Sequence, residues 1–385
     1  MANVSSSNGL EKRPKLRFPG FDEPWCEVKI KDIFRVTRGS VLAADKVLLS
    51  KIDGYEYPVY SSQTKADGLL GYYNTYLYEN AITWTTDGAN AGTVHYRAGK
   101  FYCTNVCGVL LNKDGYANRC TAAILGSISK KYVSYVGNPK LMNNIMSEIP
   151  IIIPALEEQH KIDSFIAVLD KRIKAQQMMI TSLKKYKRGV VSSILTHQIK
   201  FADSEGKPYP EWTSCTLQDA VVFLDGQRKP LESADRAKRQ GQYPYYGASG
   251  IIDYIDDYIF DEPLLLLGED GANILNRSTP LCFIATGKYW VNNHAHVMRP
   301  KSGQNIKFLC ELLESLDYTR YNTGTAQPKI NQEKCREIKL SLPVYEEQCR
   351  IASFLATLDR RLERAQSNLN YLLLIRDGLL QQLFI

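Results

Sequence analysis

Residues 154–172 read PALEEQHKIDSFIAVLDKR, and residues 343–361 read PVYEEQCRIASFLATLDRR. Eleven of these nineteen positions are identical at a constant offset of 189. Chance does not produce that, so the chain is internally duplicated and must fold as two related units. The repeat continues upstream more faintly. LRF (16–18) leads to Trp25 as IKF (199–201) leads through YPEW to Trp212. YPVYSSQ (57–63) parallels YPYYGAS (243–249), and GLLGYYNTYLYE (68–79) parallels GIIDYIDDYIFDE (250–262). DGAN stands at 87–90 and again at 270–273, and NPKL (138–141) parallels QPKI (327–330). The duplication therefore runs roughly over 15–197 and 198–385. Each repeat is domain-sized, which excludes a solenoid.

The strongly repeated segments carry a helical pattern. Apolar residues fall at Ile162, Ile166, Leu169, Ile173, Ile180, Leu183, Val190 and Ile194, alternating steps of four and three. The second copy places Ile351, Leu355, Leu358, Leu362, Ala365, Leu369, Leu372, Leu379 and Leu383 the same way. Such a pattern predicts two coiled-coil helices of about forty residues, roughly 60 Å each at 1.5 Å per residue. Pro154 and Pro343 precede them, and an acidic pair opens each, as the positive helix start favours. Two equal helices in one chain most simply pack on each other. Gln176, Lys187 and Arg376 interrupt the seam and are suited to fixing register. The bland reading of the pair is a packing element alone; the sharper one is a spacer between two domains.

The weakly repeated segments read as short strands broken by Gly-, Asn- and Asp-rich turns. The predicted class is α+β: two tandem domains, each a mixed, twisted sheet with helices, each followed by a long helix, the two helices packing as an antiparallel coiled coil. The expected bounds are a flexible N-terminus at 1–14, domains at 15–156 and 198–345, and helices at 157–197 and 346–385.

Polar clusters recur at matched places in the two domains, and their side chains are of the types that pair with base edges and phosphates. The DNA-binding candidates are Arg35, Arg38, Gln63, Lys65, Thr86, Asn90 and Lys140 in the first unit. In the second they are Arg228, Lys229, Asn273, Arg277, Asn293, His294, Gln327 and Lys329. Any one cluster could be an ordinary solvated turn. The chain's formal charge of +7 permits a polyanionic partner without demanding one.

Catalytic patterns are missing from the sequence. It has no Walker A loop, no GxGxxG, no HExxH and no GxSxG. The Asn/Asp-Pro-Pro-aromatic tetrapeptide of amino-methyltransferases does not occur. His294 and His296 stand two apart but lack a third ligand at useful spacing, so no metal is expected. His160 is replaced by Cys349 in the second copy, which argues against a catalytic role. The nine cysteines are odd in number and irregular in spacing, with no CxxC pair. They predict reduced thiols in a cytoplasmic protein. The first twenty residues lack the apolar stretch of a secretory signal.

The layout resembles the specificity subunit of type I restriction–modification systems. LRFPGF…W (16–25), IKF…YPEW (199–212) and the paired EEQ segments that open long helices carry the resemblance, which covers nearly the whole chain. It implies a non-catalytic DNA-recognition subunit with two target-recognition domains, each reading one half of a split sequence. The helices would set the unread gap and dock two modification subunits that carry S-adenosylmethionine and methylate adenine. Two restriction subunits would cut DNA with ATP and Mg. This chain would hold no cofactor. A helix of ~60 Å spans ~17 base pairs at 3.4 Å each, enough for two half-sites and a gap. Two other readings are a stand-alone nuclease or methyltransferase with a diverged site, and a coiled-coil scaffold for other proteins.

Overall fold

The computed structural model describes residues 14–62 and 65–384. The flexible N-terminus expected at 1–14 lies, Pro14 apart, outside the described residues. The chain forms two compact units: Met1–Met178 with Ser367–Ile385, and Met179–Gln366. Unit one is thus built from both ends of the chain.

The two four-three patterns become single helices, Leu156–Leu195 and Tyr345–Leu383. In unit one, Ile162 and Ile166 share a core with Leu380 and Phe384, and Asp170 accepts from Arg376 Nε at 3.0 Å. In unit two, Ile194 and Val191 share a core with Ile351 and Leu355, and Lys187 Nζ meets Asp359 at 2.6 Å. Residue numbers rise on one helix as they fall on the other, so the segments oppose each other within each unit. Arg376 and Lys187 are repeat equivalents, and so are Asp170 and Asp359. Lys187 and Arg376 therefore each find an aspartate rather than a void. Burial alone would lower the Lys187 ammonium, but its bonds to Asp359 and Glu311 outweigh that and raise it. Of the other predicted seam residues, Ile173, Ile180, Leu358 and Leu369 are buried, and Leu169, Leu183, Leu362 and Leu372 are half-buried.

The EEQ glutamine explains why the repeat is strict at that point. Gln159 donates to Pro154 O and accepts from Asn118, the N-cap of helix Arg119–Ile128. Gln348 donates to Pro343 O and accepts from the backbone N–H of Asn305, the N-cap of helix Ile306–Ser315. One buried amide thus ties each domain to its long helix, and leaving either group unpaired would be costly. The chain ends repeat the interior too. Ile199 N donates to Ser193 O at 3.0 Å where the first helix runs into the second repeat. Leu16 N donates to Gln382 O at 2.8 Å, the equivalent carbonyl, across the chain ends.

Unit one holds a six-stranded sheet in the order Arg35–Arg38, Cys107–Leu111, Tyr78–Thr85, Val94–Cys103, Tyr57–Tyr60, Leu69–Tyr73. All pairs are antiparallel except Tyr57–Tyr60 with Val94–Cys103. Unit two has the same order cut into two four-stranded sheets. Val221–Phe223, Ala295–Pro300, Leu264–Gly268 and Cys282–Ala285 form one; Gly250–Ile255, Gln240–Gly247, Lys288–Val291 and Phe260–Asp261 form the other. The cut falls where unit one only bends. There the ladder slips between Glu79 and Ala81, Asn80 takes φ 47°, and Gly99 takes φ 70° opposite it. In unit two Pro263 and Gly287 (φ 72°) stand at that place, and a proline cannot donate to the ladder. A bulge has become a break. A small two-stranded sheet closes each unit: Cys26–Lys29 with Pro150–Ile153, and Thr213–Thr216 with Lys339–Leu342.

Candidate nucleic-acid interface

Two loops meet at one end of each sheet, and the backbone joins them identically. In unit one Asp87 bridges Lys140, Gly88 N donates to Pro139 O at 2.9 Å, and Leu141 N donates to Thr86 O at 2.9 Å. In unit two Asp270 bridges Lys329, Gly271 N donates to Pro328 O at 3.0 Å, and Ile330 N donates to Glu269 O at 2.8 Å. The repeated DGAN glycine sits at φ 95° and 104°, a region that glycine enters freely. So the DGAN and Pro-Lys motifs, about fifty residues apart in sequence, form one surface feature in each unit.

The carbonyl after the Pro-Lys pair is pinned from below in both units by different residues. Trp84 Nε1 donates to Leu141 O at 2.9 Å, with its ring over Gly108. In unit two Leu267 and His296 replace this pair, and His296 Nε2 lies 2.8 Å from Ile330 O. The buried His296 also places Nδ1 2.7 Å from Asp225 Oδ2, and Asp225 further accepts from Val297 N and Gln332 Nε2. Burial would raise the Asp225 carboxyl, but these bonds hold it below its usual range. Glu269 behaves likewise: burial opposes ionisation, and Arg228, His296 and Lys329 outweigh it.

The side chains on this frame differ between units. Lys140, Asn293, His294, Gln327 and Lys329 are exposed around the joined loops. His294 Nδ1 lies 2.7 Å from Asp270, and Lys329 reaches Glu269 at 3.2 Å. Asn90 is half-buried, its amide 3.5 Å from Ser62 O. Arg35 and Lys229 are exposed on neighbouring elements. Arg38 is half-buried, and its Nε has no partner among the described residues. Gln63 lies outside the described residues; Lys65 lies in the short helix Lys65–Gly68, and its side chain is not described.

Four of the sequence candidates have their polar groups engaged within the chain. Thr86 is fully buried, and its hydroxyl serves Asp87 and Val106 O. The Arg228 side chain is 14% exposed and is spent on Glu269, Asp225 O and Ala295 O. Asn273 uses both amide atoms to close its own loop, at Thr279 O and Thr279 N. Arg277 turns to Glu314 on the helix Ile306–Ser315. Each of these four makes bonds that hold its own loop in place. Lys130, Lys131, Tyr135 and Val136, which were not among the sequence candidates, are also exposed on the stretch that leads into Lys140.

The DNA specificity domain of type I restriction–modification systems matches residues 22–185 and again 209–370. The chain belongs to this family. A chain named as a type I specificity subunit, S.MpnORF507P of Mycoplasma pneumoniae, is 30% identical over 86% of this chain and 87% of its own length. A Haemophilus influenzae chain named as a type I restriction enzyme specificity subunit, S.HindORF215P, is 32% identical over 38% of this chain. Among solved structures, the S subunit of a type I system from M. genitalium aligns over 97% of this chain and 99% of its own, with a TM-score of 0.65 at 18% identity. That likeness is one of fold. No described helix is long and apolar enough to cross a membrane.

Proposed function

We propose that this chain is the sequence-reading subunit of a cytoplasmic type I restriction–modification assembly. Each target-recognition domain, within 15–156 and 198–345, reads one half of a bipartite site. One observation carries the reading: both units build the same backbone-joined loop pair and dress it with different exposed side chains. Fixed geometry with variable polar groups is what two different half-sites require, because base contacts specify and phosphate contacts position. Lys140 and Lys329 stand at equivalent places and suit phosphates; Asn90, Asn293, His294 and Gln327 suit base edges. The helices 157–197 and 346–385 pair as an antiparallel coiled coil that sets the gap between half-sites.

In this reading the chain carries out no catalysis. S-adenosylmethionine belongs to two modification subunits, which methylate adenine, and ATP and Mg to two restriction subunits. The deciding experiment is methylome sequencing of cells expressing the chain with its modification subunit. A new split motif methylated in both halves is the expected result. Exchanging either domain changes one half only, and a seven-residue helix insertion, ~10 Å, widens the gap by about three base pairs. Unchanged methylation by an assembled complex would overturn the reading.

A further inference from the structure

The recognition domains have drifted apart in sequence, yet one exposed group of side chains is kept in both. In unit one the rings of Tyr57 and Tyr76 lie 5.1 Å apart at 50°, and Lys100 Nζ sits 4.6 Å from the Tyr76 ring. In unit two the equivalent rings of Tyr243 and Tyr258 lie 5.1 Å apart at 57°, and Lys288 Nζ sits 4.5 Å from the Tyr258 ring. The ring–ring and lysine–ring distances, drawn from three separate stretches of chain, are thus nearly the same in both units. The four tyrosines are half-buried or exposed, and both lysines are exposed. In each case the phenol holds the ammonium above its ordinary range.

Folding does not account for this. Other aromatic contacts at that end of the sheet, half-buried Tyr78 with Phe101 and Phe260 with Tyr289, pack without the triplet. An exposed cation–π contact adds little to stability. DNA does not account for it either. In unit one the triplet lies beside the start of the strand Tyr78–Thr85, whose far end leads into the DGAN loop, at most about 26 Å away along its eight residues; in unit two the strands Phe260–Asp261 and Leu264–Gly268 cover the same stretch. Moreover, each lysine has an acid directly across the ladder, Glu79 in unit one and Asp261 in unit two. A phosphate site gathers cations, whereas these two sites are close to neutral.

We infer that the Tyr57–Tyr76–Lys100 and Tyr243–Tyr258–Lys288 triplets are two copies of one protein-docking site, each taking the same face of a modification subunit. The inference rests on the proposed function, which supplies a partner present in two copies. Tyrosines paired with a near-neutral ion cluster suit a protein surface that presents hydrogen-bond acceptors among apolar groups. Two divergent domains keep an exposed group identical when both must meet the same molecule.

The test uses the full chain with its modification subunit, and native mass spectrometry reads how many copies bind. Wild-type chain takes two. Y76S/K100E loses one copy, Y258S/K288E loses the other, and the fourfold variant loses both, each site weakening about 30-fold or more, as for loss of an aromatic anchor. Y76F/Y258F keeps both copies, because the rings remain; this shows that loss does not come from misfolding, as does an unchanged melting curve. DNA affinity and its salt slope stay unchanged throughout. Two copies bound to the fourfold variant would overturn the inference. So would a fall in DNA affinity with a shallower salt slope, which would make the triplets phosphate contacts. No modification subunit on wild-type chain would instead sink the proposed function.

Discussion

Substituting Gly108 by alanine tests how unit one holds its loop pair. A methyl group there would collide with three ring atoms of Trp84, which are side-chain atoms of a fully buried residue. The ring cannot slide along the strand, because Trp84 pairs with Val94 on one side and Gly108 on the other. It must tilt, and the Nε1 bond to Leu141 O is lost. Overpacking costs roughly 1–3 kcal/mol. An unpaired buried carbonyl costs a further 1–3 kcal/mol, roughly. The sum, about 2–6 kcal/mol, lowers the melting point of a unit this size by about 5–15 °C. Differential scanning calorimetry of the full chain should show the loss in unit one's transition while unit two's stays in place. Trp84→Leu/Gly108→Ala should fall short of the summed single effects, since the methyl no longer meets an indole. A melting point within about 2 °C of the parent would refute the idea that this contact positions the loop.

Other perturbations reach different parts of the frame. Lys187→Ala leaves Glu311 and Asp359 facing each other at a site where all three are under a quarter exposed, and should cost ~2–3 kcal/mol in urea unfolding, between the values for exposed and buried pairs. Arg376→Ala, whose partner Asp170 is 43% exposed, should cost under ~1 kcal/mol. Phe384→Ala removes a half-buried ring that meets Trp25 at 6.5 Å, so it should weaken unit one by ~1–2 kcal/mol and leave unit two untouched, as domain-resolved hydrogen exchange would show. His95, half-buried and next to Arg97, is lowered to about 4 from an ordinary 6.5, chiefly by burial. The unfolded chain therefore gains a proton that the folded one refuses. Stability present above pH 6.5 is lost as pH falls towards 4, by at most ~1.4 kcal/mol per pH unit, and His95→Gln should flatten that slope in unfolding titrations.

The helices were legible because their period is sustained and doubled. Their ion pairs were not: Lys187 stands out as a polar seam residue, but Asp359 lies 172 positions away. The loop motifs were visible as repeated words, DGAN and Pro-Lys, while their union depends on backbone hydrogen bonds to which no residue type is a guide. At Thr86 and Arg228 residue type did not show that their polar groups are already bonded within the chain. It tells what a side chain can bond, and says nothing of whether those bonds are already made at home. At the sheet's bend the opposite holds: Pro263 and Gly287 did mark a break, but only beside Asn80 and Gly99 does it read as the same hinge.

The two units answer one requirement with residues from different strands. Each must satisfy the carbonyl that follows its Pro-Lys pair. Unit one draws the donor from Tyr78–Thr85 and leaves Gly108 bare beneath it; unit two draws it from Ala295–Pro300 and leaves Leu267 apolar. What is retained is the acceptor's need, not the donor's identity. Chimeras between the units should therefore work only when both strands travel together. Placing Leu264–Gly268 of unit two in the frame of unit one sets a leucine opposite Gly108, which leaves the Leu141 carbonyl without a donor and opens a void where the indole was. The loss should exceed ~3 kcal/mol, combining an orphaned acceptor with a cavity. Moving both strands restores the donor through His296, provided Asp225 comes too, since the imidazole is otherwise held at one nitrogen only. Thermal unfolding of the single-strand, double-strand and double-strand-plus-aspartate chimeras should rank them in rising order. Equal melting points for all three would show that the carbonyl lock does not govern the loop.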